Sequence, residues 1–321
     1  MRLKTLSLAL LVTLSSLQGQ EIQFQILSTT DMHGRILPSD TYSLLPVNQG
    51  WAKIASLIKE ERAKNPNTLL LDGGDTIQGE PINYVKTYLN PELPEPSIDI
   101  MNALGYHAMA VGNHEYNFGL SHLRQVQKQA RFSFLSANTL VEKTGRSAFD
   151  SYRLFNSGAL KVAVVGFTTP WIPKWDEPSK YLGLKFEDIV QTAKILIPKI
   201  RVQEKPDLLI VLLHSGLGES PGNVGDENVV FRLIDQVSGI DGVVSGHTHR
   251  PIAQVYKNIP IIQAGAHGQA LAKISFNLMR VSGKWAVTRR IPTLLTPTDE
   301  TPLDSQVLAL TETLREQTER Y

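Results

Sequence analysis

Five short polar clusters stand out: Asp31-Met32-His33, Gly73-Gly74-Asp75, Gly112-Asn113-His114-Glu115, His214-Ser215-Gly216 and Gly246-His247-Thr248-His249. Each follows directly on an apolar run that reads as a β-strand, and open α/β sheets place their ligands at such strand ends. The clusters offer Asp31, His33, Asp75, Asn113, His214, His247 and His249 as donors. Two metal ions sharing an open face need about seven protein ligands. A mixture of hard oxygen and imidazole nitrogen suits Mn²⁺, Zn²⁺, Fe or Co²⁺ better than Ca²⁺ or Mg²⁺. Asp75 is the best candidate for a bridging ligand, because a carboxylate has two oxygens and the glycines before it permit a sharp turn. Asn113 would add a neutral oxygen. If the flanking backbone is extended, residues i and i+2 face one side. Asp31 and His33, and likewise His247 and His249, would then converge on one point, with Met32 and Thr248 facing away. Alone, each cluster has a plainer reading: Asp-x-His and Gly-Gly-Asp are common turns, and His214 could be a half-buried structural histidine. All five in this order and at these strand ends point instead to a site that activates water.

The elements that must position these clusters follow from periodicity. Strands are expected over Ile22 to Ser28, Thr68 to Asp72, Ala108 to Val111, Phe134 to Ala137, Lys161 to Phe167, Leu208 to Leu213, Gly242 to Ser245 and Ile261 to Ala264. Helices are expected over Trp51 to Ala63, Ile98 to Leu104, Leu120 to Ala130, Phe186 to Val202 and Asn228 to Val237. Alternation of this kind is the signature of a layered α/β fold. Leu271 to Leu278 and Trp285 to Arg289 add an antiparallel pair turned at Ser282 and Gly283. Thr301, Pro302 and Asp304 read as the start of a terminal helix over 301–321, with a capping hydroxyl, an early proline and an early acid. Leu303, Val307, Leu310 and Leu314 would form its apolar stripe.

Bulk properties narrow the class. The chain has 321 residues, 42% hydrophobic and 20% charged, enough for one large core or two modest domains. A formal charge of +1, with 32 basic against 31 acidic residues, leaves no polybasic footprint, so long nucleic acids are not expected partners. Without any cysteine the fold carries no disulfide. Residues 1–20 read as a signal peptide: Arg2 and Lys4 precede an apolar run from Leu6 to Leu17, with cleavage expected near residues 19–20. That run is short for a membrane span, which needs ~20 residues, so no stable membrane anchor is expected; an uncleaved anchor is the alternative. Removing it takes away Arg2 and Lys4 and no acid, leaving a mature charge of about −1. The protein is expected to be secreted or periplasmic, with its main domain over 21–300.

The clusters in their context resemble the calcineurin-like metallophosphoesterase superfamily, and within it the bacterial branch of 5′-nucleotidases and 2′,3′-cyclic-nucleotide 2′-phosphodiesterase/3′-nucleotidases. The resemblance runs from Ile22 to about Arg290. It rests on Ser28-Thr29-Thr30-Asp31-Met32-His33-Gly34, Gly73-Gly74-Asp75-Thr76-Ile77-Gln78-Gly79, Gly112-Asn113-His114-Glu115, His214-Ser215-Gly216-Leu217 and Gly246-His247-Thr248-His249. It implies a four-layer α/β/β/α sandwich of two mixed sheets, with two divalent metals at their carboxyl ends. One metal would take Asp31, His33, Asp75 and His249, and the other Asp75, Asn113, His214 and His247. Hydrolysis of a small phosphate mono- or diester is expected, by in-line attack of a hydroxide bridging the metals, with His114 over the leaving-group oxygen.

Two departures bear on the substrate. The 5′-nucleotidases carry an aspartate two residues after the Asn-His-Glu string, where this chain has Asn117, whose carbonyl can orient His114 without adding charge. Glu115-Tyr116-Asn117-Phe118-Gly119-Leu120, with Pro170 and Trp175-Asp176 downstream, looks more like the cyclic-nucleotide branch. The second departure is the C-terminal domain that stacks the nucleobase in those enzymes, which is expected to be absent here. A loop bearing Trp171 and Trp175 would offer a substitute platform, and His267, after a strand end, would line the site. Nucleotides are the expected substrates, 2′,3′-cyclic or 3′ favoured. The alternatives are a 5′-nucleotidase, hydrolysis of a sulfur-containing ester, and a metal-holding binding module without turnover.

Overall fold

Leu208 to Leu213 carry no polar side chain and all six are buried, which makes them a central parallel strand covered on both faces. The computed structural model describes residues 20–43, 45–218 and 226–321, so the expected signal peptide lies outside the described residues apart from Gln20. In chain order the strands are β1 (Glu21–Thr29), β2 (Thr68–Asp72), β3 (Ala108–Ala110), β4 (Ser133–Leu135), β5 (Thr139–Val141), β6 (Tyr152–Ser157) and β7 (Leu160–Thr168). They continue as β8 (Leu184–Phe186), β9 (Leu208–His214), β10 (Gly242–Ser245), β11 (Pro251–Tyr256), β12 (Ile259–Ala264), β13 (Leu271–Val281) and β14 (Lys284–Leu295). One sheet has the order β14-β13-β1-β2-β3-β4 and the other β11-β12-β10-β9-β7-β6, while β5 and β8 form a separate pair. Each large sheet is parallel at its centre and antiparallel towards an edge.

Period-two alternation sorts the side chains into layers. Phe24, Ile26, Leu69 and Leu71 of the first sheet meet Leu208, Ile210 and Leu212 of the second in a shared inter-sheet core. Leu27 and Leu70 turn outward beneath the helices Trp51–Lys64, Pro96–Leu104 and Leu120–Gln129. Leu209, Val211 and Leu213 turn the opposite way beneath Ile189–Gln203 and Val230–Gln236. The result is the four-layer α/β/β/α sandwich of two mixed sheets. The hairpin between β13 and β14 turns at Ser282 and Gly283, as the alternation predicts.

Three expectations need correction. The terminal helix spans Ser305–Arg320, and its cap is Asp304, whose carboxylate accepts from the amides of Gln306 and Val307; Thr301 and Pro302 lie outside it. An aspartate two residues after a proline is itself a strong cap, which moves the start. Its buried face is Val307, Thr311 and Leu314, whereas Leu303 and Leu310 are 42% and 43% exposed. Strands β6 and β11 have no counterpart in the sequence reading, because their half-exposed sides dilute the apolar signal. Among the described residues no helix is long and apolar enough to cross a membrane.

Candidate active site

Both sheets end at the same place. The loops after β1, β2 and β3 carry Asp31, His33, Asp75, Asn113 and His114, and the end of β9 and the loop after β10 carry His214, His247 and His249. Backbone bonds lash the first two loops together, the amides of Asp31 and His33 donating to the carbonyls of Gly74 and Asp75 at 2.8 and 3.0 Å. Gly74 has φ of +94°, and a Cβ there would lie 2.8 Å from the Gly112 nitrogen and 2.9 Å from His214 Nδ1, so only glycine fits. Glu115 is fully buried and accepts from the amides of Asp75 (2.8 Å), Thr76 (2.7 Å) and Gly112 (2.7 Å), joining the second loop to the third.

The extended backbone expected at Asp31/His33 and His247/His249 does not occur, although Asp31 and His33 converge on one donor group all the same. Asp31 (φ 51°), His33 (48°), Asp75 (57°), His247 (79°), His249 (55°) and His267 (56°) all adopt left-handed backbone conformations. Non-glycine residues rarely do so, and such strain gathers at functional sites. As a result the members of the second pair diverge. His249 joins Asp31 and His33, while His247 joins Asp75 and His214. Met32 does turn away into the core beneath the helices.

All seven expected donors come together. His33 Nε2 lies 3.0 Å from His249 Nε2, and Asp31 Oδ1 lies 3.5 Å from the latter. His214 Nε2 lies 2.9 Å from Asp75 Oδ2 and 3.1 Å from Asn113 Oδ1. Asp75 falls in one donor group with His33 and His114 and in another with His214 and His247, so it stands between the two halves. The His114 amide donates to Asp75 Oδ1 at 2.8 Å, and its Nε2 is 3.9 Å from Asp75 Oδ2. Its Nδ1 is 2.6 Å from Asn117 Oδ1. His267 donates its amide to the Asp31 carbonyl, and its ring centroid is 5.3 Å from that of His33. Trp175, 45% exposed, sets its ring centroid 5.2 Å from that of His247. Sequence reasoning missed Glu227, whose Oε1 lies 3.0 Å from His247 Nε2, and the joining role of Glu115. Glu115 stood inside a recognised string, but only its burial reveals what it does.

These contacts fit metal ions. His33 Nδ1 faces the Gln78 carbonyl and His214 Nδ1 the Gly73 carbonyl, each at 2.7 Å, so both carry hydrogen there. In the neutral rings Nε2 is then a lone pair, and it is aimed at other acceptors. Such an arrangement needs a cation or an extra proton at its centre. Accordingly, burial drives the Asp31 carboxyl up to about 8 and the His33 and His247 imidazoles down to about 4. Burial opposes charge at His214 and Asp75 too, but their mutual attraction outweighs it, lifting His214 to about 10 and holding Asp75 far below the usual carboxylate range. A bound cation would take over the role of that proton.

A profile of the family described as Calcineurin-like phosphoesterase matches residues 24–251. The trifunctional nucleotide phosphoesterase protein YfkN of Bacillus subtilis (strain 168) is 33% identical over 297 residues, covering 83% of this chain and 20% of that protein. The 2′,3′-cyclic-nucleotide 2′-phosphodiesterase/3′-nucleotidase of Haemophilus influenzae is 32% identical over 333 residues, covering 94% of this chain and 50% of that protein. The chain thus spans half or less of the length of these curated relatives. The crystal structure of the calcineurin-like phosphoesterase YfkN from Bacillus subtilis superposes with a TM-score of 0.86 at 30% identity, covering 94% of this chain and 99% of that one. With the family profile covering the central strands of both sheets and all the loops that carry the donors, the chain belongs to the calcineurin-like phosphoesterase family.

Proposed function

We propose that this chain is an exported phosphoesterase that hydrolyses nucleotides, 2′,3′-cyclic and 3′-nucleotides foremost, with two divalent metal ions. The observation that carries the reading is the set of tautomer-fixed imidazoles and acids whose lone pairs face one another at the ends of both sheets. Asp31, His33, Asp75 and His249 would hold one ion, and Asp75, Asn113, His214 and His247 the other. Bound there, divalent ions supply Lewis acidity towards phosphoryl oxygens and a more acidic water. Asn113 and His114 would contact the phosphate, and His114 Nε2 would give its proton to the leaving oxygen. Trp175 would form one wall against the base and His267 the opposite rim. The relatives named as nucleotide phosphoesterases, and Asn117 in the place where 5′-nucleotidases carry an aspartate, support the substrate class. Residues 1–20 support export.

The test is a substrate panel on the purified protein with Mn²⁺ or Zn²⁺, comparing 2′,3′-cyclic nucleotides, 3′- and 5′-mononucleotides and an aryl phosphodiester. Cyclic and 3′-nucleotides should be turned over fastest. A preference for 5′-mononucleotides would overturn the substrate assignment in favour of a 5′-nucleotidase. Chelation should abolish turnover and metal re-addition restore it; metal uptake without turnover would mark a binding module.

A further inference from the structure

We propose that Asp176 is a positioning residue for His114, acting through the side-chain amide of Asn117. The proposal rests on the leaving-group role given to His114 above.

Three hydrogen bonds carry it. His114 and Asn117 stand at i and i+3 on one tight turn, the Asn117 amide nitrogen donating to the His114 carbonyl at 3.2 Å. That places the Asn117 side chain beside the imidazole, with Oδ1 2.6 Å from Nδ1. Left alone, an asparagine could present either its oxygen or its nitrogen to the ring, since the two ends have nearly the same shape. Here the nitrogen end is already taken: Nδ2 donates to both oxygens of Asp176, at 2.9 and 3.0 Å. A carboxylate only accepts, so the amide has one allowed orientation. Its oxygen must face His114, and Nδ1 must therefore carry hydrogen. The nitrogen free to exchange a proton is Nε2, the one that faces Asp75 in the site.

Asp176 is itself held for this task. It follows the short helix Ile172–Trp175, its amide donating to the Ile172 carbonyl at 2.9 Å, and Ile172 is fully buried. At the end of β7, Thr168 donates from Oγ1 to the Val111 carbonyl at 2.7 Å, pinning this loop beside the one that carries His114. Among the described residues the Asp176 carboxylate has no ion pair, and Asn117 is its hydrogen-bond partner. An acid in the place of Asn117, three residues beyond the histidine, would act on it by charge. This chain instead separates charge from imidazole by one amide, which transmits orientation.

During turnover water forms the new P–O bond and releases a proton to solvent, while the bond to the leaving oxygen breaks. The electron pair stays on that oxygen and is capped by the Nε2 proton. The imidazole is left neutral with its hydrogen on Nδ1, and Nε2 regains a proton from solvent.

Asp176→Ala frees the amide to rotate, whereas Asp176→Asn keeps a carbonyl that can accept from Asn117. For a 3′-nucleotide, whose alkoxide leaving group needs a proton, Asp176→Ala should lower kcat by about tenfold or more. For an aryl phosphate, whose leaving group needs none, the loss should stay within about threefold. KM and metal content should be unchanged, and Asp176→Asn should recover most of the loss. Equal losses on both substrates, or none on either, would overturn the proposal. A second readout does not depend on turnover: long-range ¹⁵N–¹H spectra of histidine-labelled protein, with His114 assigned through its loss in His114→Gln. The Nδ1–H form should dominate in the parent protein and in Asp176→Asn and give way to a mixture in Asp176→Ala. If the parent hydrolyses no phosphate ester yet shows this tautomer pattern, the proposed function fails while the positioning role stands. An unchanged tautomer in Asp176→Ala overturns the positioning role whatever the activity.

Discussion

Histidines at strand ends are legible in a sequence, but which nitrogen each one offers is not. His214 is expected as a donor from its place at a strand end, but that it offers Nε2 follows only from the Gly73 carbonyl facing its Nδ1. Asn117 was visible as the residue beside His114, whereas Asp176, distant in sequence, could be tied to it only through space. Burial is equally hidden, as Glu95 shows. It has no exposed surface; Asn83 donates to its Oε1 at 3.2 Å, and its Oε2 lies 4.0 Å from His122 Nε2 with no hydrogen-bond partner among the described residues. Burial lifts its carboxyl to about 8, with Asp99 and Glu115 adding to the rise and Lys86 and Asn83 opposing it. Burial and Lys86 hold the facing His122 down at about 4. A carboxyl whose folded pKa lies above its unfolded one favours the fold below the unfolded value, and that contribution is lost as pH climbs towards the folded value. Glu95→Gln keeps the bond to Asn83 and cannot ionise. Its melting temperature should therefore exceed that of the parent by several degrees more at about pH 8.5 than at about pH 5. Thermal unfolding at both pH values checks this, and an equal shift at both would contradict it.

At the scale of elements, the apolar runs located the central strands to within a residue or two, since Thr68–Asp72 and Gly242–Ser245 are buried on both faces. The edge strands of the second sheet, β6 and β11, escaped because much of each is wet. The conformation of the loops beyond the strands was also hidden. Left-handed backbone at Asp31, His33, Asp75, His247 and His249 is imposed by tertiary bonds, which no local propensity announces. Glu115 supplies several of those bonds without being one of the seven donors. In Glu115→Gln one oxygen becomes an N–H donor facing amide donors, which should cost about 2–3 kcal/mol of stability. Because two of those amides belong to Asp75 and Gly112, Mn²⁺ affinity should fall in the same variant. Chemical unfolding and calorimetric titration with Mn²⁺ measure the two effects. Unaltered affinity would show that the loops hold their shape without this residue.

For the whole molecule, the alternating pattern predicted a layered α/β fold, while the four-layer arrangement came from resemblance, because the order of strands within sheets leaves no local trace. That order decides the chemistry, since one sheet supplies Asp31, His33, Asp75 and Asn113 and the other His214, His247 and His249. The inter-sheet core keeps the two half-sites in register. Leu212→Ala opens a cavity there, fully buried and two residues before His214, and should cost about 2–5 kcal/mol. Urea unfolding measures that cost, and a loss well under 1 kcal/mol would mean the layers can close over the gap. The loop after β7 spans the same divide with two adjacent residues: Trp175 lies against His247 from one sheet, and Asp176 grips Asn117 beside His114 from the other. On the roles proposed for Trp175 and His114, a change in that loop that reshapes the wall for a base should also move the anchor of the histidine. Under those roles what is cut and how fast it is cut would be tied together, so variants with altered preference should emerge already slowed, regaining speed through second changes near residues 114–117.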